Sequence, residues 1–176
     1  FLKPDSSIIA KNQKFIIPSF STDIHHEVEL VVKINKVGKH IDKSFSHQYY
    51  DEIGLGIDFT ARDIQKKLKE KGHPWEKSKA FDNSCMVGNF LKKEKLEDIS
   101  KIEFSLKKNN EIVQSGCSND MLWKIDELIS YVSQYFTLKI GDLIFTGTPS
   151  GVSKVESGDI LEGYISSIKM FTLKVK

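Results

Sequence analysis

Three carboxylate side chains have the spacing that could bind one metal ion. Glu27 and Glu29 occupy alternate positions in a segment that is rich in β-branched residues and runs from His25 to Val32. Alternate side chains of a strand leave on the same face, so these two carboxylates should point together and repel unless a cation neutralises them. Asp58 ends a second apolar segment. Three converging carboxylates suit a hard, oxygen-preferring divalent ion, which favours Mg²⁺ over Zn²⁺.

Two strands must position these carboxylates. The pattern predicts strands at 28–34 and 49–59, joined by a polar, hairpin-like connection at 35–45. Gly54 and Gly56 in the second strand indicate a bulge or a close approach of two backbones.

A helix should begin soon after Asp58. Thr60 fits its N-cap, Asp63 is an acidic variant of the capping box, and Gly72 followed by Pro74 ends the helix. Asp58 is therefore expected on the rim where a strand becomes a helix.

The remainder of the chain is predicted to be mainly β. Further strands are expected at 14–18, 102–106, 111–115, 143–146 and within 160–175, with a hairpin turn at 107–110. A second helix at 120–136 carries an apolar stripe of Leu122, Ile125, Leu128, Ile129, Val132 and Phe136. Because there is no internal repeat or Pro/Gly linker, residues 1–176 are interpreted as one domain. Strands dominate two main helices, which predicts an α+β, mainly-β fold built on a folded-over sheet.

Two further segments could contact an anion. Lys79 has aromatic residues on either side, and its burial would require an anionic substrate or the carboxylate cluster as a partner; the alternative is a surface lysine, as expected for Lys77. The loop at 147–151 could bind an anion through backbone N–H groups and the Thr148 hydroxyl, or be a plain turn. His25 and His26 could support the acids, contact substrate, or be ordinary surface or core histidines.

Composition excludes several other classes of protein. The net charge is +2, and the lysine-rich segments 66–71 and 92–95 contain acids and few aromatics, so a solvated surface is favoured over nucleic-acid binding. No apolar run approaches the ~20 residues that span a bilayer and no signal peptide opens the chain, so we expect no membrane partner and a cytoplasmic location. Cys85 and Cys117 lack CxxC spacing and are expected to be free thiols. With no G-x-S-x-G motif, metal-assisted chemistry is favoured over a covalent hydrolase.

Six segments, taken together, resemble the fumarylacetoacetate hydrolase family, in particular its small acylpyruvase and oxaloacetate decarboxylase branch. They are Phe1-Leu2-Lys3-Pro4, His25-His26-Glu27-Val28-Glu29-Leu30, the segment from Gly56 to Gln65, Gly72-His73-Pro74-Trp75, Lys79-Ala80-Phe81, and the segment from Gly141 to Val152. They occur in family order and span nearly the whole chain.

The resemblance implies the mixed β-roll of that family's catalytic domain, usually as a homodimer. It also implies that Glu27, Glu29 and Asp58 hold Mg²⁺ or Mn²⁺, in agreement with the carboxylate argument.

The same resemblance implies roles for four other residues. Lys79, Gln65 and Thr148 match residues that contact the carboxylate or keto oxygens of the substrate, and Arg62 matches an arginine near the site that could also brace the acids. In the family, the water-activating His and Glu lie on a lid upstream of the Phe-Leu-Lys-Pro segment. Because the chain begins at Phe1 without Met, we expect this N-terminal lid segment to be missing from it.

These residues predict an enzyme that acts on a small 2-oxo acid. The predicted reaction is divalent-metal-dependent C–C cleavage through a metal-stabilised enolate, by acylpyruvate hydrolysis, oxaloacetate decarboxylation or both, with Lys79 as a catalytic second positive charge. One alternative is an isomerase or decarboxylase of a dicarboxylic 2-oxo acid from aromatic catabolism. A non-catalytic metal-binding domain is the alternative from another class.

Overall fold

The computed structural model describes residues 1–176, and strands make up most of its regular structure. The strands are β1 (Ile24–His26), β2 (Val28–Ile34), β3 (Tyr50–Asp58), β4 (Thr60–Ala61), β5 (Cys85–Lys92), β6 (Glu103–Lys108), β7 (Glu111–Cys117), β8 (Leu143–Phe145), β9 (Ser153–Lys154), β10 (Ile160–Ile165) and β11 (Ile168–Lys174). The α-helices are α1 (Arg62–Glu70), α2 (Glu76–Lys79) and α3 (Ile125–Tyr135), and short 3₁₀ helices lie at Asp5–Ser7, Lys43–Gln48, Lys93–Lys95, Ile99–Lys101 and Ser118–Asp120. The predicted mainly-β fold with two main helices is confirmed. None of the helices has the length and apolar character that crossing a bilayer requires.

The strands form three sheets whose strand pairs are all antiparallel. The sheet orders are β5-β3-β2-β8, β11-β10-β6-β7 and β4-β1-β9. Parallel contacts occur only at single bridges between Ile8 and Cys85 and between Phe15 and Val175. β2 occupies the predicted residues Val28–Ile34 and is buried along nearly its whole length, as its almost continuous apolar sequence requires.

The two four-stranded sheets pack against each other through a shared core of 27 buried residues. At Gly88 in β5, a Cβ would lie 2.8 Å from the ring of Phe171 in β11, so glycine permits this close approach. The β3–β5 register shifts between Gly54 and Gly56, and a Cβ at Gly56 would lie 2.6 Å from the carbonyl oxygen of Met86. The predicted bulge and the predicted close approach are both confirmed.

The segment predicted as a strand at 14–18 makes only an isolated bridge. Phe15 pairs with Val175, and Pro18 has no amide hydrogen with which to extend the ladder. Phe15 is nevertheless fully buried, and its ring stacks on that of Phe59 at a centroid distance of 3.8 Å. Ile16 is 65% exposed, so only Phe15 of this apolar segment is fully buried.

The second long helix begins later than predicted, at Ile125. The backbone N–H of Lys124 donates to the Glu127 carboxylate at 2.9 Å, which satisfies a donor at the helix start. Leu122 precedes this start and is 98% exposed, and Phe136 follows the helix end and is 48% exposed. These two members of the predicted apolar stripe therefore do not join the core.

The two predicted connections differ in outcome. The hairpin turn is confirmed, because β6 and β7 are joined by Asn109 and Asn110 in left-handed conformations, with φ of 54° and 72°. The connection from β2 to β3 is more than a simple hairpin loop, since it contains the 3₁₀ helix Lys43–Gln48 and a bridge between Gly38 and Leu138.

The predicted N-cap at Thr60 is wrong. Thr60 lies in β4, where it pairs with His25 of β1 in an extended conformation. The first turn of α1 is satisfied in another way, because the backbone N–H of Arg62 donates to the carbonyl of Asp23 at 2.8 Å.

Candidate metal centre

Glu27, Glu29 and Asp58 converge where β1, β2 and β3 meet. Glu27 lies in the single-residue break between β1 and β2, Glu29 lies in β2, and Asp58 is the last residue of β3. The backbone N–H of Asp58 donates to the carbonyl of Glu27 at 2.8 Å. One oxygen from each carboxylate lies within 4.8 Å of the others, and the three residues are only 7%, 5% and 2% exposed. The structure thus brings together the three acids indicated by the sequence.

The ammonium group of Lys79 is buried between two of these carboxylates. Its Nζ donates to Glu27 Oε2, Asp58 Oδ2 and Thr60 Oγ1, each at 2.6 Å. These three hydrogen bonds use every donor of the ammonium. Of the partners considered for a buried Lys79, the structure therefore shows the carboxylate cluster.

A second lysine, which no sequence pattern singled out as a site residue, also reaches the cluster. Lys3 Nζ lies 2.9 Å from Asp58 Oδ1 and donates to Ser84 Oγ at 2.9 Å and to the carbonyl of Lys79. Lys3 belongs to the Phe-Leu-Lys-Pro segment on which the resemblance partly depends, so that segment was the signal that could have found it.

Arg62 and Gln65 lie together on the first turn of α1. Arg62 forms an ion pair with Glu27, and its Nη1 donates to Gln65 Oε1 at 2.9 Å. Both residues line a surface depression of about 480 Å³, together with Asp23, His25, Asp63, Lys66, Lys69 and Glu70. Arg62 thus pairs with one of the three acids, as one of its two expected roles requires, and also lines the depression beside this ion pair.

The loop at 147–151 contacts the cluster through its backbone. The N–H of Gly147 donates to Glu29 Oε2 at 2.6 Å. The hydroxyl of Thr148 donates to the carbonyl of Val28 at 2.8 Å and accepts from Gln114 Nε2 at 2.9 Å. The loop thus binds the Glu29 carboxyl group of the protein itself, and the Thr148 hydroxyl is engaged within the protein.

The three acids differ in their electrostatic environments. Burial raises the pKa of Glu29 to about 8, and the neighbouring Asp58 carboxylate adds to this effect. Burial also raises the pKa of Asp58, although Lys3 and Lys79 oppose the shift. At Glu27, burial is outweighed by Lys79 and Arg62, so the pKa of this carboxyl is lowered. Glu29 is the acid with the least positive charge beside it.

Comparison with known proteins places these features in a family. The model described as fumarylacetoacetate (FAA) hydrolase C-terminal matches residues 1–176. The chain belongs to this family. It is 39% identical over its whole length to the mouse protein named oxaloacetate tautomerase FAHD1, mitochondrial, of which it covers 80%. It is 40% identical to a Dictyostelium discoideum protein named oxaloacetate decarboxylase, mitochondrial, over 96% of this chain and 78% of that protein.

A solved structure within the fumarylacetoacetate hydrolase family has the same fold. It is the fumarylpyruvate hydrolase from Pseudomonas aeruginosa in complex with Mn²⁺ and pyruvate, with a TM-score of 0.92 and 32% identity. The match covers 99% of this chain and 77% of that one. The expected family fold is confirmed.

The family metal fits the residues present in this chain. Asp58 Oδ1 is buried and forms an ion pair with Lys3 Nζ at 2.9 Å that lacks hydrogen-bond geometry, so this acceptor has no well-aligned donor. The only donor atoms of the triad are carboxylate oxygens, which Mg²⁺ and Mn²⁺ prefer. The acidic triad can therefore hold a divalent ion.

We expect the affinity for Mn²⁺ to rise with pH up to about 8. The pKa of Glu29, about 8 against an ordinary 4.5, means that the folded metal-free protein retains a proton that the unfolded chain has lost. Binding of the ion must displace this proton, so the Kd should fall by up to about tenfold per pH unit below pH ~8 and then level off. Electron paramagnetic resonance titration of Mn²⁺ at several pH values measures this dependence.

The same proton has a consequence for stability. Because the folded state binds it more tightly than the unfolded state, the metal-free protein should lose stability as pH rises from 4.5 to about 8.

The displacement of this proton by Mn²⁺ can be measured directly. Calorimetry in two buffers of different ionisation enthalpy counts the protons released per Mn²⁺ at neutral pH. Release of almost no protons per Mn²⁺ would contradict the raised pKa of Glu29.

Proposed function

We propose that this protein is a divalent-metal-dependent enzyme that cleaves a C–C bond in a small 2-oxo acid, by oxaloacetate decarboxylation, acylpyruvate hydrolysis or both. Glu27, Glu29 and Asp58 hold Mg²⁺ or Mn²⁺ in this proposal. The observation that carries it is the convergence of three buried carboxylates with the buried Lys79 in a member of the fumarylacetoacetate hydrolase family.

Each part of the site has a chemical role in this proposal. The bound ion supplies a Lewis acid that stabilises negative charge on the enolate as the bond breaks. Lys79 holds Glu27 and Asp58 in fixed orientations and adds positive charge beside the reacting group. Arg62 and Gln65 line the depression next to the cluster, where they can bind a substrate carboxylate.

The names of the relatives support this choice of substrate class. The Dictyostelium protein is named as an oxaloacetate decarboxylase, and the Pseudomonas structure is that of a fumarylpyruvate hydrolase with pyruvate. Decarboxylation needs little beyond an electron sink, whereas hydrolysis also needs a base that deprotonates water. The residues at this centre therefore support decarboxylation more directly than hydrolysis.

Tautomerisation of oxaloacetate is the second candidate function. The mouse relative, identical at 39% of positions, is named as an oxaloacetate tautomerase. Loss of a proton and loss of CO₂ from oxaloacetate both leave an enolate, so the same charge stabilisation serves both reactions.

The decisive experiment offers oxaloacetate and acetylpyruvate to the purified protein with Mg²⁺, with Mn²⁺ and with a chelator. Decarboxylation yields pyruvate from oxaloacetate, hydrolysis yields pyruvate from acetylpyruvate, and tautomerisation changes the enol absorbance of oxaloacetate without yielding pyruvate. The spontaneous, metal-promoted decay of oxaloacetate is subtracted with protein-free samples. We expect metal-dependent pyruvate formation from at least one substrate; enol conversion alone would select the second candidate, and no metal-dependent reaction would reject both.

We propose a reducing compartment, specifically the cytoplasm, and a homodimer. Cys85 and Cys117 are both free, which fits reducing conditions, although the mouse and Dictyostelium relatives are named mitochondrial. Subcellular fractionation separates these two locations. The ring of Trp123, just before α3, contacts Tyr131, which contacts Tyr135, and this exposed aromatic row is a surface that a second copy could cover. Light scattering in solution tests the dimer.

A further inference from the structure

Gln114 is the centre of a buried hydrogen-bond network next to the candidate metal centre. It lies in β7 and is only 1% exposed. Its Oε1 accepts from the backbone N–H of Val28 at 3.1 Å and from His26 Nδ1 at 2.8 Å. Its Nε2 donates to Thr148 Oγ1 at 2.9 Å and to the carbonyl of Pro149 at 3.0 Å. These four contacts use the full hydrogen-bonding capacity of the amide.

Two backbone groups determine the orientation of this amide. The N–H of Val28 can only donate and the carbonyl of Pro149 can only accept, so the amide oxygen must face the first group and the amide nitrogen the second. It follows that His26 carries its proton on Nδ1, which donates to Gln114. His26 Nε2 then accepts from the hydroxyl of Ser153 at 2.8 Å.

The orientation of Gln114 also determines what the Thr148 hydroxyl can do. Because this hydroxyl accepts from Gln114 Nε2, its single proton is directed to the carbonyl of Val28, 2.8 Å away. The hydroxyl therefore connects the Gln114 amide to the backbone of Val28.

Gln114 joins two segments that both contact the cluster. Val28 stands between Glu27 and Glu29, and the loop at 147–151 supplies the Gly147 N–H that donates to Glu29 Oε2 at 2.6 Å. We infer that Gln114 is a positioning residue that holds this loop against the Glu27–Glu29 segment, in part through the Thr148 hydroxyl. The inference rests on the proposed function and adds a residue from a distant strand to the same site.

Packing of the loop on β7 supports this inference. Gly151 has a φ of +100°, and a Cβ there would lie 2.2 Å from the carbonyl oxygen of Val113, the residue before Gln114. The far end of the loop is thus in backbone contact with β7, and the Gln114 amide holds its Thr148–Pro149 part to the same strand.

The test uses Gln114→Glu, a change of nearly equal size. The new side chain can still accept from Val28 and His26, but it lacks the two N–H donors that hold the loop. The matched control is Gln134→Glu, which makes the same change on an exposed position of α3. The first readout is amide hydrogen exchange of residues 147–151, which requires neither metal nor substrate.

We expect exchange in this loop to accelerate roughly tenfold in Gln114→Glu, as expected for loss of one or two stabilising hydrogen bonds. We also expect the Kd for Mn²⁺ to rise about 10- to 100-fold, the usual effect of losing a residue that orients metal ligands. Both values should stay at the wild-type level in Gln134→Glu. A variant that exchanges and binds Mn²⁺ like wild type, with only a lower Tm, would overturn the inference.

Thr148 variants test separately whether the Thr148 hydroxyl helps to hold the loop. Thr148→Val removes the hydroxyl, and we expect it to accelerate loop exchange and weaken Mn²⁺ binding, while Thr148→Ser restores both. The double variant with Gln114→Glu should show less than the sum of the two single effects, because both changes break the Gln114–Thr148 hydrogen bond. If Thr148→Val leaves loop exchange and Mn²⁺ affinity unchanged, the hydroxyl does not hold the loop and this part of the inference is wrong.

These readouts separate two kinds of failure. If the wild-type protein binds no Mn²⁺ and turns over no 2-oxo acid, the proposed function fails, yet loop exchange still decides whether Gln114 positions the loop. If the wild-type protein is active and Gln114→Glu is indistinguishable from it in loop exchange and Mn²⁺ affinity, only the inference about Gln114 fails.

Discussion

Asp58→Asn should abolish metal-dependent turnover, with a fall in kcat/KM of roughly a thousandfold or more, about 4 kcal/mol of transition-state stabilisation. The substitution preserves the size of the side chain but removes the charge of the carboxylate that both Lys3 and Lys79 approach. It also removes one of the three anionic groups available to an ion. Steady-state kinetics with oxaloacetate and acetylpyruvate, together with Mn²⁺ titration, measure the effect.

Asp82→Asn is the matched control for this substitution. Asp82 is exposed and lies outside the carboxylate cluster, so the variant should keep the wild-type kinetics and Mn²⁺ affinity. Wild-type turnover in a correctly folded Asp58→Asn protein would remove Asp58 from the ligand set.

Lys79→Met should destabilise the metal-free protein by about 3–5 kcal/mol, because it leaves two buried carboxylates without their shared partner. Lys79 is 4% exposed and donates to Glu27 and Asp58, so water cannot readily replace its charge. Added Mn²⁺ should raise Tm more in this variant than in wild type, since the ion supplies the missing positive charge. Urea unfolding with and without Mn²⁺ measures both effects.

The neighbouring Lys77→Met provides the comparison. Lys77 is exposed and makes no ion pair, so its replacement should change the free energy of unfolding by no more than about 0.5 kcal/mol. Equal stability of the two variants would show that the buried ion pairs of Lys79 contribute nothing to folding.

The parts of this site that the sequence predicted well are those built from local patterns. The alternation of Glu27 and Glu29 and the run of apolar residues in β2 are direct consequences of strand geometry. The partner of Lys79 could be narrowed to an anionic substrate or the carboxylates, because a buried ammonium requires an anion. The family resemblance supplied the fold and linked segments that lie far apart in the chain.

Other features depend on contacts that no local pattern reports. Thr60 has the residue type of an N-cap, but pairing with His25 makes it a strand residue whose hydroxyl accepts from Lys79. Gln114 reaches Val28 across 86 positions of sequence, and β7 gives no sign of that contact in its own pattern. The hydrogen bonds of the Thr148 hydroxyl to Val28 and Gln114 were likewise not predictable, because both partners lie far away in the sequence.

The three cations around the carboxylates have a consequence for how the protein acquires its metal. Lys3, Lys79 and Arg62 already serve as counterions to Asp58 and Glu27, so we expect the chain to fold without a bound ion. This differs from small zinc domains, in which the metal itself supplies the folding energy. Binding of Mg²⁺ or Mn²⁺ would then occur after folding and depend on the concentration of these ions in the cell. A chelator should abolish the catalytic activity without unfolding the protein. Because protein cations already balance Asp58 and Glu27, more of the ion's positive charge is available to attract the carboxylate of a 2-oxo acid substrate.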